Sequence, residues 1–183
     1  MNHLINRVNH LITRVTKIKN INAAGGVLFR ESPVPNKGDS TEVSRQIEVV
    51  LIKRNGLWDI PKGKVEKHEG IAAAAVREVE EEIGVSNLLL THFITSTEHT
   101  YEQKGKNYFK TTFWYGMVLP VYVELSKDKS HINEEIEFLA QEEEGITRVE
   151  WVPLDFALST VAFDNLKDVL LRFKDQIRSM VLS

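Results

Sequence analysis

Residues 63–85 read GKVEKHEGIAAAAVREVEEEIGV, and their spacing decides the fold. From Gly70 to Ile83, Ile71, Ala74 or Ala75, and Val79 recur at helical spacing, which predicts a helix over 70–83. The four alanines at 72–75 favour helix and let it lie close to a sheet. Gly84 is placed to end the helix as a C-terminal cap. Glu78, Glu81 and Glu82 stand at i, i+3 and i+4, so their carboxylates share one helix face, from which Glu80 points away. Like charges crowded on one face repel one another. A hard divalent cation removes that cost, and carboxylate oxygens are the ligands that Mg²⁺ and Mn²⁺ prefer. Arg77 precedes the cluster and can grip a carboxylate in a bidentate fork. Glu69 lies at the helix start, where the dipole favours an anion.

A glutamate run is in most proteins a solvated helix face, and VREVEEEIG at 76–84 alone would be read that way. The full spacing is more specific. Gly63 is followed after five residues by Glu69, and after seven more by Arg77, Glu78, Val79, Glu81, Glu82, Gly84 and Val85. At average residue usage a chance match is on the order of one in a billion per starting position. The stretch resembles the signature box of the Nudix hydrolases, with every fixed position present, and the resemblance runs from about Ala24 to the last predicted helix. It implies an α+β fold, an α/β/α sandwich with a mixed β-sheet and the box as loop–helix–loop. It also implies metal binding by Glu78, Glu81 and Glu82, with the backbone carbonyl of Gly63 completing the shell. Arg77 is then the residue that orients those glutamates, and Glu69 the one that supports the loop.

The activity implied is hydrolysis of a phosphoanhydride bond by water, with Mg²⁺ as cofactor and Mn²⁺ as a substitute. In several branches of the family the base is a glutamate on a late loop outside the box. Glu142, Glu143 and Glu144, before Gly145, are the local candidates, and Glu144 is favoured. Arg77, Glu81 and Glu144 are thus the expected catalytic residues.

Residues 58–64, WDIPKGK, resemble the W-x-x-P-K-G lead-in of Nudix enzymes that act on dinucleoside polyphosphates and diphosphoinositol polyphosphates. Lys62 and Lys64 beside the metal site would neutralise phosphate charge. Trp58 reads equally as substrate-binding or as a packing residue. Further on, Tyr101 is a candidate to stack on a base, and Lys104 and Lys110 to meet distal phosphates, although each fits solvated surface as well. His92 and His99 are assigned no role. Dinucleoside polyphosphates are therefore the leading substrate class, with nucleoside triphosphates, ADP-ribose or nucleotide sugars as alternatives. The proline that marks ADP-ribose enzymes would fall near Thr100, and none lies there. A reading of another class is a non-catalytic, nucleotide-sensing Nudix regulator; retention of every box glutamate speaks against it.

Outward from the box, 24–30, 46–53, 57–60, 88–95, 109–119 and 146–152 read as strands. Asn55-Gly56 is a hairpin signal, and Pro61 stops the return strand. Trp114 alternates with Phe113 and Tyr115, so one face of that strand belongs to the core. Residues 31–44, a polar stretch after 95, and 127–144 read as loops, the last with room for a helical turn; 121–125 extends or follows the strand before it. Leu166, Val169, Leu170, Phe173 and Ile177 mark a final amphipathic helix.

The chain has 183 residues, 42% hydrophobic and 27% charged, which suits one globular domain with a real core. The formal net charge of −3 gives no basic excess for duplex nucleic acid, so phosphate must be met by local Lys and Arg or by a metal. There are no cysteines, which excludes disulfides and thiolate chemistry and fits the cytoplasm. No apolar run nears the roughly 18 residues of a membrane span, and no membrane partner is expected. Residues 2–8 (NHLINRV) and 9–15 (NHLITRV) repeat, with Leu4, Val8, Leu11, Val15 and Ile18 on one stripe. This predicts a basic amphipathic extension over 1–22, ahead of one Nudix domain at 23–183. The extension reads either as a surface for a partner, a homodimer included, or as a segment that docks on its own domain or frays.

Overall fold

The computed structural model describes residues 18–34, 44–120 and 136–181. These residues include seven strands: β1 (Lys19–Val34), β2 (Ser44–Arg54), β3 (Leu57–Asp59), β4 (Lys62–Lys64), β5 (Leu89–Gln103), β6 (Lys106–Val118) and β7 (Ile146–Pro153). Among the described residues three helices of more than one turn accompany them: α1 (Ile71–Ile83), α2 (Leu154–Thr160) and α3 (Asp164–Val181). A 3₁₀ turn, Glu142–Glu144, leads into β7.

The sheet is mixed. Its order is β3-β2-β1-β6-β5, with β4 paired to β1 and β7 to β2. β1 is the hinge of the arrangement. Its first part runs parallel to β6, and Ala23–Gly25 also pairs antiparallel with β4; its second part, from Phe29, pairs antiparallel with β2. Gly25 makes this possible, because a Cβ there would strike the Pro61 carbonyl and the Lys62 side chain.

Period-2 alternation sorts the core into two layers. Val27, Val49 and Leu51 face α2 and α3, packing with Trp114, Leu166, Leu170 and Phe173. Ala24, Leu28, Val50 and Ile52 face α1, packing with Ala74, Ala75, Val79 and Ile83. The alanines of α1 are what allow that helix to lie close against β1. The α/β/α sandwich expected from the sequence is therefore the architecture found.

Several boundaries differ from expectation. β1 starts at Lys19, not Ala24, because Lys19–Asn22 continues the ladder with β6, at residues that sequence placed in the N-terminal extension. It runs on to Val34 against Ser44–Val49, through residues expected to be loop. The polar stretch after 95 is also strand. β5 and β6 form one long hairpin from Leu89↔Val118 to Gln103↔Lys106, closed at Lys104 (φ 50) and Gly105 (φ 69). Positive φ at both turn residues matches the twist of the flanking strands. The short strand β4 and the helix α2 were not expected. The Asn55-Gly56 turn, with φ 50 and 83, and α1 with its Gly84 cap at φ 70, stand where the sequence put them. The heptads at 2–15, residues 121–125 and residues 127–135 lie outside the described residues. Among the described residues no helix is long and apolar enough to cross a membrane.

Candidate active site

The site forms where β4 crosses the face of α1. Glu78 and Glu82 lie on the buried side of that helix, and Glu81 is half exposed at its rim. The Glu78 carboxylate packs directly on Gly63, where an added Cβ would strike both of its oxygens. A glycine is thus required opposite Glu78 by contact, and it brings the β4 backbone against a box carboxylate.

Arg77 organises the rim. Its Nε and Nη2 donate to the two oxygens of Glu69 at 2.8 and 2.9 Å, the expected bidentate fork. Nη2 also donates to the Lys64 carbonyl at 3.2 Å, and Nη1 reaches Glu81 and Glu78, both at 3.0 Å. One guanidinium therefore ties the loop to two box glutamates. Glu69 in turn accepts the Glu66 N–H at 3.1 Å, which folds the loop onto the helix start. Arg77 holds the Glu69 carboxyl down at about 2, and these acidic partners raise Arg77 itself.

A second arginine, Arg54 at the end of β2, serves the buried side. Its Nη2 donates to Glu82 Oε1 and, at 3.2 Å, to Glu144 Oε2. The other Glu82 oxygen accepts the Lys62 N–H at 3.1 Å. Glu82 is wholly buried, and that burial pushes its carboxyl up to about 7 against the opposing pull of Arg54 and Lys62. Glu78 is raised as well, first by burial and then by the charges of Glu81 and Glu144, with Arg77 opposing. Glu144 reaches this group because the Asn55 N–H donates to the Gly145 carbonyl at 2.9 Å, clamping the two turns together. The side chains of Glu142 and Glu143 are exposed and make no hydrogen bond or ion pair among the described residues. Glu80 faces elsewhere, as expected, and accepts the Leu88 N–H at 2.9 Å.

Cations flank the acidic face. The Lys62 ammonium pairs with the buried carboxylate of Asp59, which also accepts the Ile60 N–H at 2.8 Å. Lys110, on β6, is pushed below its usual value, first by burial and then by Lys62 and Arg54, with Asp59 and Glu82 opposing. His99, its cross-strand neighbour, is lowered by desolvation and then by Lys110 and Lys62. Continuing along the same face, Tyr101 lies between His99 and Tyr108, with ring centroids 5.5 and 5.1 Å away.

Of the residues singled out in the sequence, the structure gathers Gly63, Glu69, Arg77, Glu78, Glu81, Glu82 and Glu144 into one group, with Lys62 and Lys110 beside it. Tyr101 lies on the strand face that carries Lys110. Lys64 contributes its carbonyl while its side chain is exposed, and Lys104 sits in the exposed hairpin turn. Trp58 packs against the α2–α3 core with the Lys53 ammonium 5.6 Å above its ring. Arg54 and Asp59 were missed. In sequence the first is an unremarkable strand end before a turn, and the second a polar residue between Trp58 and Ile60. Only their partners, distant along the chain, reveal them.

Among the described residues no three acidic or histidine side chains already converge as a finished metal cage, since their oxygens are turned onto Arg54 and Arg77. The donors nonetheless fit a hard divalent cation. They are carboxylates that raise one another's charging cost, beside a backbone run at Gly63.

A family model described as the NUDIX domain matches residues 40–173. An 8-oxo-dGTP diphosphatase of Buchnera aphidicola is 42% identical over 57 residues, covering 31% of this chain and 45% of that protein. An 8-oxo-(d)GTP phosphatase of Mycolicibacterium smegmatis is 27% identical over 155 residues, covering 84% of this chain and 41% of the relative. The matches thus span under half the length of these curated relatives. Among solved structures, a C. elegans Ap4A hydrolase in a binary complex superposes with a TM-score of 0.57 at 20% identity, over 87% of this chain and 98% of the other. With the box loop, helix and glutamate face assembled as described, and the model matched over most of its length, this chain belongs to the NUDIX domain family.

Proposed function

We propose that the protein hydrolyses a phosphoanhydride bond in a nucleotide carrying a polyphosphate, using Mg²⁺, with dinucleoside polyphosphates as the leading substrates. The observation that carries this reading is the juxtaposition of an acidic face (Glu78, Glu81, Glu82, Glu144) with Lys62 and Lys110. One half suits a divalent cation and the other the charge of additional phosphates. Glu78, Glu81, Glu82 and the Gly63 carbonyl would hold the divalent cation, which would offset the charge of the bridging phosphates and make water a better nucleophile.

The chain's own residues then divide the work. Glu144, half exposed and held by Arg54, accepts the proton of the attacking water. A bond forms between that oxygen and phosphorus as the bridging P–O bond breaks, and the bridging oxygen departs on the leaving phosphate. Lys62 and Lys110 meet the charge on the phosphate chain, Lys110 with an ammonium that lacks any hydrogen bond or ion pair among the described residues. Tyr101 offers its ring stack to a base. Arg77 keeps Glu78 and Glu81 in register, and the exposed side chain of Lys64 stands at the approach.

A second reading, an 8-oxopurine nucleoside triphosphate as substrate, is favoured by the names of the two curated relatives. The full chain, incubated with Mg²⁺ and with diadenosine tetraphosphate, 8-oxo-dGTP, dGTP or ADP-ribose, separates the two when the products are resolved by ion-exchange chromatography. Preferred cleavage of the dinucleotide, abolished by EDTA, supports the first reading, and preference for 8-oxo-dGTP the second. Absence of cleavage across the panel refutes both.

A further inference from the structure

Two arginines touch the acidic face, and they are used differently. Arg77 engages every nitrogen of its guanidinium on Glu69, Glu78, Glu81 and the Lys64 carbonyl. Arg54 makes both of its contacts through Nη2, and its buried Nε has no hydrogen-bond partner among the described residues. The first is the pattern of a permanent strut. In the second, a single nitrogen bridges carboxylates from two separate elements, Glu82 on α1 and Glu144 on the 3₁₀ turn. Those carboxylates are ones a cation bound at this face would draw on. The backbone is shaped for this bridge: the β2–β7 register shifts between Lys53 and Arg54, and the Asn55–Gly145 hydrogen bond fixes the next turn. A bulge at that point re-aims the strand-end side chain.

We infer that Arg54 is a positioning residue that stands in for the divalent cation, holding Glu82 and Glu144 together and yielding them when the ion binds. The inference rests on the metal-dependent reading above. Both oxygens of the buried Glu82 are engaged, one by Arg54 and one by the Lys62 N–H, so an ion that takes the first meets a like-charged guanidinium already seated on it. Arg54 and the ion then compete, and competition is reciprocal.

The test is Mn²⁺ binding to the full-length wild type and to Arg54→Gln at pH 8, read by electron paramagnetic resonance, with thermal unfolding measured alongside. The variant is expected to lose stability without metal, to bind Mn²⁺ about tenfold more tightly, and to gain more stability from saturating metal than the wild type does. Equal affinities within about twofold, with equal stabilisation, would mean that the ion is held while Arg54 stays in place, and would overturn the inference. A purely structural role for Arg54 gives that result, since it lowers both stabilities by the same amount. No binding by either protein would overturn the metal-dependent reading together with this one. Should the variant not fold, the wild type decides: the Arg54 Nε–H nuclear magnetic resonance signal should move on addition of Mg²⁺, and an unmoved signal refutes displacement.

Discussion

Glu82 gives the sharpest prediction, because it is a fully buried carboxyl raised from 4.5 to about 7. A raised carboxyl makes the folded state bind more protons than the unfolded one, so stability falls as pH rises through the interval between the two values. Each unit corresponds to about 1.4 kcal/mol, and the whole shift therefore to about 3 kcal/mol once pH is well above 7. Between pH 5 and 8 Glu82 alone should remove about 2.5 kcal/mol, or about 5–10 °C of melting temperature for a chain of this size. The window is chosen with the other groups in mind. Glu69, held at about 2, loses its contribution only at lower pH. His92 and His99 are both lowered, and their contribution has the opposite slope below 6.5. The comparison is therefore wild type against Glu82→Gln, which keeps the histidines, the volume and an acceptor for the Lys62 N–H but does not titrate. In EDTA, by thermal unfolding at pH 5, 6.5 and 8, the wild type should lose stability relative to the variant as pH rises. Parallel profiles would refute the reasoning and show that Arg54 fully compensates the buried charge.

Glu144→Gln should lower kcat by about 10²–10⁴ with little change in melting temperature, since the side chain is half exposed; a loss within about threefold would assign the base elsewhere. Gly63→Ala should drive the Glu78 carboxylate off the β4 backbone and abolish activity while the fold persists, as read by circular dichroism; retained activity would show that the contact is dispensable. Lys110→Gln should raise KM about tenfold with kcat nearly unchanged, the cost of one charged phosphate contact, and a fall in kcat alone would move this lysine from binding to chemistry.

What sequence revealed and what it hid divide along chain distance. The acidic face of α1 was legible because the helical period places Glu78, Glu81 and Glu82 together whatever the rest of the chain does. Arg77 reaches Glu69 and Glu81 across eight and four residues, within the same local stretch. Arg54 reaches Glu82 across 28 residues and Glu144 across 90, so no local spacing could announce it. The long β5–β6 hairpin was hidden for another reason. Its outer half is mostly polar, broken by Tyr101, Tyr108 and Phe109, and its turn is Lys104-Gly105 rather than an asparagine–glycine pair. Strand character there comes from the cross-strand ladder and from the tyrosine stack, not from an apolar alternation. Trp58, conspicuous in sequence beside Pro61 and Lys62, packs on the core, and the buried polar residue next to it, Asp59, is the one that fixes the Lys62 ammonium.

This division bears on how the site works. The box by itself supplies a carboxylate face and the arginine that keeps its rim in order, and both lie in one contiguous stretch. It does not supply the counter-charge for Glu82, the most deeply buried of the three carboxylates. That comes from the far end of β2, delivered by sheet pairing and by the clamp between two turns. The same clamp delivers Glu144 and thereby places the proposed base. A substitution that loosened the Asn55–Gly145 contact would shift Arg54 and Glu144 together, leaving Glu82 uncompensated and the proposed base displaced, although every box residue remained in place. The Nudix box is in this sense half of a site, and the β2–β7 end of the sheet is the other half.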